Sequence, residues 1–117
     1  MSFFYDSNGL WNNYLPANFR IMVINNGGGG IFRFIEGPSD TEELEQFFET
    51  RHSHDARGIA ETFGLDYIAC RDEESFSSSL ATFFEPSEKP RVMEVFTPNV
   101  ENGKLLKKYF KYLNNQL

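Results

Sequence analysis

The chain has 117 residues, a formal net charge of −6 and one cysteine, with thirteen phenylalanines against five tyrosines and one tryptophan. That length suits one domain with one core, residues 1–117, and the aromatic content argues against disorder. The negative charge argues against nucleic acid and anionic membrane as main partners. A lone thiol, Cys70, leaves no internal disulfide and points to a reducing cytoplasm, and no apolar run is long enough to span a bilayer.

In chain order, the opening "SFFYDSNGLWNNYLP" spaces Phe3, Phe4, Leu10, Trp11, Tyr14 and Leu15 as a helix that must stop before Pro16, with Gly9 as its weak point. An apolar start from the third residue is unusual for a terminus and predicts a chain cut from inside a larger folded unit. "RIMVIN" (Arg20 to Asn25) is a short branched run, predicted to be a strand buried on both faces. "SDTEELEQFFET" opens with capping residues Ser39 to Thr41 and acids in its first turn, which predicts a helix start. In "HDARGIAETFG", Asp55 is the expected N-cap, Ile59, Ala60 and Phe63 share a face, and Gly64 stands at the C-terminal cap. "DYIAC" and "RVMEVF" are two further strands. Between them "DEESFSSSLATFFEP" places Phe76, Leu80, Phe83 and Phe84 at helical spacing. The last helix, "ENGKLLKKYFKYLNN", is expected to bury Leu105, Leu106, Tyr109, Phe110 and Leu113. Strands alternating with helices predict an α/β fold in three layers, helix–sheet–helix, with a mostly parallel sheet and right-handed crossovers.

The segment from Gly27 to Pro38 is the long loop of this layout, and it leaves the carboxyl end of the first strand, where ligands bind in open α/β sheets. Its four glycines, Gly27 to Gly30, expose successive N–H groups without side chains, which suits an anion. A P-loop would need Lys where Ile31 stands, and a dinucleotide fingerprint would need a glycine at Phe32. Asn25 and Asn26 offer neutral carboxamide oxygens, suited to a hard cation such as Mg²⁺. On the residues alone two readings stay open: asparagines capping a strand before a loose loop, and a diphosphate–metal site.

"SFFYDSNGLW" followed by "INNGGGGIF" resembles the 2-succinyl-5-enolpyruvyl-6-hydroxy-3-cyclohexene-1-carboxylate synthase family, thiamine-diphosphate enzymes of menaquinone biosynthesis, and "HDARGIAETFGLDY" is similar to the helix and strand that follow in thiamine-diphosphate enzymes generally. The resemblance covers nearly the whole chain. It implies an incomplete thiamine-diphosphate-binding fold, the C-terminal, diphosphate-side part of a domain. It implies that Asn26 gives a side-chain oxygen and Gly28 a backbone carbonyl to Mg²⁺. Ser2, Asn26, Gly28, Gly29, Ile31 and Phe32 would bind the cofactor, and Ile31, Phe32 and Ile35 would form an apolar wall facing the substrate. A dry wall of that kind suits decarboxylation. The family's metal-binding aspartate, in a Gly-Asp pair, would fall just before Met1, and its activating glutamate lies in another domain of a partner subunit. The resemblance therefore implies no catalytic residue in this chain.

The implied reaction decarboxylates 2-oxoglutarate and adds the succinyl unit to isochorismate, with small-molecule substrates, missing N-terminal domains and a second copy of the protein as partners. The alternatives are a non-catalytic α/β domain and a piece of another thiamine-diphosphate decarboxylase or synthase of the acetolactate-synthase kind. With the aspartate and the pyrimidine half-site both absent, the chain alone is expected to lose roughly a hundredfold or more in affinity and to be inactive. Uncovered apolar surface around Phe3, Phe4 and Trp11, with the edge of the sheet, predicts self-association.

Other residues carry plainer readings. His52 and His54 read as loop or capping residues rather than a metal pair, and Cys70 as packing. Lys104, Lys107, Lys108 and Lys111 form a solvated basic stripe on the last helix.

Overall fold

Three strands form where the branched apolar runs predict them: β1 (Arg20–Asn25), β2 (Asp66–Cys70) and β3 (Arg91–Phe96). The computed structural model describes residues 2–30 and 51–115. The helix start expected at Ser39 to Thr41, and Ile31, Phe32 and Ile35, lie outside the described residues. The sheet is parallel in the order β1–β3–β2, with Val23 and Ala69 level with Glu94 on the central strand. Parallel strands need crossovers, and helices supply them. α1 (Ser2–Tyr5), α2 (Arg57–Thr62), α3 (Glu73–Phe84) and α4 (Asn99–Asn114) complete the described elements. The described chain divides into two compact units, Met1–Asn25 with His54–Phe96, and Asn26–Ser53 with Thr97–Leu117.

In the first unit the sheet is covered on both faces, which gives the expected three layers. On one face Val92 packs with Leu10, Ala56, Ala60 and Leu65, flanked by Ile21, Val23 and Tyr67. On the other face Met93, Cys70 and Phe83 form the second core, with Ile68, Phe76 and Val95 around them. This alternation follows from the two-residue period of a strand, since Val92 and Met93 must point to opposite faces.

The edge strand differs from the expectation of burial on both faces. Met22 and Ile24 are exposed, Ile24 to 60%. Among the described residues β1 pairs on one side only, and the helix layer over its second face centres on β2 and β3.

Local chemistry sets the helix ends. α3 begins at a capping box: the Asp72 carboxylate accepts from Ser75 N–H at 2.7 Å, and the Ser75 hydroxyl oxygen accepts from Asp72 N–H at 3.1 Å. Those Ser75 hydrogen bonds hold the Asp72 carboxyl below its usual range. At its other end Arg20 grips the last carbonyls, with Nε donating to Phe83 O at 2.5 Å and Nη2 to Glu85 O at 2.8 Å. A guanidinium is well placed at the negative end of a helix. Of the aromatic residues at helical spacing on α3, Phe83 is buried and Phe84 is 64% exposed.

α2 starts one residue later than the N-cap expected at Asp55. Ala56 holds the N-cap position, and the Asp55 carboxylate accepts from Arg57 N–H at 3.1 Å. Its far end matches the expectation. Gly64 has φ +71°, Gly64 N–H donates to Glu61 O, and Leu65 N–H donates to Ala60 O, the paired bonds of a Schellman close. Gly64→Ala should destabilise the chain by about 1 kcal/mol, because a Cβ at this positive φ is strained although open space surrounds it. Urea unfolding of the two chains measures it, and an unchanged midpoint would remove Gly64 from the closing motif.

The opening helix is shorter than expected. α1 ends at Tyr5, a 3-10 turn covers Ser7–Leu10, and Trp11 and Tyr14 are exposed. Asp6, Ser7, Asn8 and Gly9 interrupt it, and such residues favour turns over helix interiors.

In the second unit, α4 begins at Asn99 after Pro98, and the Asn102 carboxamide donates to Thr97 Oγ1 at 2.8 Å. Its apolar residues are not buried as expected. Leu105, Tyr109, Phe110 and Leu113 are exposed and Leu106 is half-buried. An amphipathic face shows that a helix is suited to a partner, not that the partner lies in the same chain. The four lysines of the stripe are exposed, as a solvated face requires.

Candidate functional site

β1 ends at Asn25, and the chain passes directly into Asn26 and the glycines. The loop is shaped by its first residues. Gly27 has φ +69°, a conformation that a side chain would strain, and its carbonyl accepts from His52 N–H at 2.9 Å. Asn26 is half-buried, and its Oδ1 accepts from Gly28 N–H at 3.2 Å. This is an Asx turn, in which an asparagine side chain bonds the backbone two residues on. It orients the carboxamide oxygen, and a carbonyl oxygen has a second lone pair for another partner.

Gly28 is buried, and a side chain at Gly29 would meet open space. The oxygen donors here, a carboxamide and backbone carbonyls, match the chemistry of a hard divalent cation. Among the described residues no three of His, Cys, Asp and Glu gather as a metal cluster. Asn26, Gly28 and Gly29 lie together in the second unit, whereas Ser2 lies in the first. Ser2 is exposed and opens α1, a helix of one turn.

The residue that sequence reasoning missed is Glu94. It is 1% exposed, in the middle of the central strand. Its Oε1 accepts from Asn25 Nδ2 at 2.7 Å, and its Oε2 accepts from Ala56 N–H at 2.8 Å and from Tyr67 O–H at 2.5 Å. The carboxylate thereby joins β1, β2, β3 and the start of α2. A buried carboxylate is costly without such donors. Burial, then the hydrogen bond and charge of Glu94, push the Tyr67 phenol far above its usual range, so it stays a donor. The sequence signal was present: one charge inside the apolar run "RVMEVF" must find partners.

The parallel three-stranded sheet flanked by helices defines an α/β protein. No protein-family model matches the chain. It is 44% identical over 115 residues to the 2-succinyl-5-enolpyruvyl-6-hydroxy-3-cyclohexene-1-carboxylate synthase of Christiangramia forsetii, a match covering 98% of this chain and 20% of that protein. The synthases of the same name from Cytophaga hutchinsonii and Flavobacterium johnsoniae are 42% and 44% identical over 95% and 97% of the chain, again covering 20% of each relative. The chain is thus related throughout to one stretch of the 2-succinyl-5-enolpyruvyl-6-hydroxy-3-cyclohexene-1-carboxylate synthase family, and it spans about one fifth of the length of the curated relatives it matches. Among the described residues no helix is long and apolar enough to cross a membrane.

Proposed function

We propose that these 117 residues are the diphosphate-side part of a thiamine-diphosphate- and Mg²⁺-dependent synthase that decarboxylates 2-oxoglutarate and adds the succinyl unit to isochorismate in menaquinone biosynthesis. The observation that carries the reading is the identity to the named synthases along nearly the whole chain. The Asx turn at Asn26 supports it, because it pre-orients a neutral oxygen at the start of a loop with little side-chain bulk.

The cofactor, when bound, supplies the electron sink that decarboxylation requires. The chain's own residues bind and orient. The Asn26 carboxamide oxygen and the Gly28 carbonyl would hold the cation, and Gly29 would leave room for a diphosphate. In this reading Ile31, Phe32 and Ile35 would exclude water from the reacting carbons, and Ser2 would contribute to the diphosphate side. Further domains of the same enzyme and a second copy complete the site in the cytoplasm. The exposed Met22, Ile24, Trp11 and Tyr14 are surface that such partners, or self-association of the isolated chain, would cover.

The test exchanges this chain for the matched stretch of the Christiangramia forsetii synthase. Turnover of 2-oxoglutarate and isochorismate should stay within about tenfold of that parent, a difference of ~1.4 kcal/mol in barrier. The 117-residue chain alone should show no turnover and no calorimetric binding of thiamine diphosphate with Mg²⁺ at micromolar concentrations. A folded but inactive chimera would overturn the reading, and a micromolar dissociation constant for the chain alone would overturn its dependence on partners.

A further inference from the structure

Glu94 shares its oxygens unequally, and the inequality is informative. Oε2 serves the Ala56 amide and the Tyr67 hydroxyl, while among the described residues Oε1 serves only Asn25 Nδ2. The same Asn25 Nδ2 gives its other proton to the His54 carbonyl at 2.9 Å. The Asn25 carboxamide is therefore held in one orientation, because turning it over would set its oxygen against two acceptors. Asn25 is itself buried, the last residue of β1, and joined by a peptide bond to Asn26. An apolar residue at position 94 would avoid the cost of a buried charge, so the charge has a role beyond packing.

We propose that Glu94 is a positioning residue: by locking the Asn25 side chain it fixes the backbone at the exit of β1, and so keeps the Asn26 carboxamide in its Asx turn, ready for a divalent cation. The last clause rests on the reading of Asn26 as a cation ligand. The fixing of the loop does not, and the test separates the two.

Glu94→Gln isolates the effect. The Gln oxygen can take the place of Oε2 and keep Ala56 and Tyr67, while its amide nitrogen meets Asn25 Nδ2, donor against donor. Asn25→Ala removes the same link together with the bond to the His54 carbonyl, and leaves the Ala56 and Tyr67 bonds to Glu94. Phe83→Leu, on the opposite face of the sheet, is the control for lost stability.

In the 117-residue chain, backbone ¹⁵N relaxation should give order parameters at Asn26 and Gly28 near the rigid value of about 0.85, falling below about 0.6 in Glu94→Gln and in Asn25→Ala. Phe83→Leu should lower the melting temperature and leave those order parameters unchanged. In the chimeric synthase, Glu94→Gln should weaken thiamine diphosphate and Mg²⁺ binding about tenfold, with kcat at saturation within about twofold.

Unchanged order parameters in both linked variants, or an equal loss in Phe83→Leu, would overturn the proposal. If Glu94→Gln does not fold, Asn25→Ala alone decides it. Order lost as expected, in a chimera that never binds cofactor, would overturn the synthase reading and the cation clause while leaving the positioning role supported.

Discussion

Glu94→Ala should cost the chain about 3–5 kcal/mol, the penalty for breaking a buried, fully partnered charge network. The substitution removes one carboxylate and strands three donors: the Asn25 carboxamide, the Ala56 amide and the Tyr67 hydroxyl. Asn25 and Ala56 are left buried without this acceptor, while the half-buried Tyr67 hydroxyl can turn toward water. A domain of this size has only about 5–15 kcal/mol of stability in all, so the loss is a large share of it. At about 4–8 °C per kcal/mol for a small domain, the melting temperature should fall by tens of degrees. Urea unfolding followed by circular dichroism measures it, with Glu94→Gln expected to lose far less because two of the three bonds survive. A Glu94→Ala midpoint within error of the original chain would mean that the carboxylate holds nothing together.

In the chimeric synthase, Asn26→Ala should reduce apparent Mg²⁺ and cofactor affinity by roughly 10- to 150-fold, the equivalent of one charge-assisted contact of about 1.5–3 kcal/mol. The loss should be partly recovered at high Mg²⁺, since the remaining oxygens still bind the ion. Asn26→Asp keeps an oxygen at the same place and should retain most of the affinity. Global stability should change little, because Asn26 is half-buried and bonds only within its own turn among the hydrogen bonds described. Titration of thiamine diphosphate at fixed Mg²⁺ reads the outcome. Equal saturation curves for Asn26→Ala and the unsubstituted chimera would remove Asn26 from the metal site.

Much of the fold was legible because its signals are local. Runs of branched residues marked the three strands, and Gly64 marked the end of α2, since a positive φ has few other occupants. The break after β1 was legible for the same reason: four glycines after two asparagines cannot be an ordinary strand or helix, and the described residues 26–30 are neither. What could not be read is what depends on distant partners. Periodicity placed Leu105, Tyr109 and Phe110 on one face of α4 without saying what covers it, and they are exposed. "RIMVIN" has the composition of a central strand, yet it lies at the edge of the described sheet. Glu94 stood in plain view inside "RVMEVF". Its partners come from 69, 38 and 27 residues away in the chain, and no local pattern ties them together.

The second core has a built-in reporter. Cys70 is the sole thiol of the chain, has no exposed surface, and points its Sγ toward the Ser75 carbonyl at 3.7 Å. A chemical probe for sulfur can reach it only while β2 parts from α3. The labelling rate therefore times the breathing of that layer, independently of whatever happens at the glycine loop.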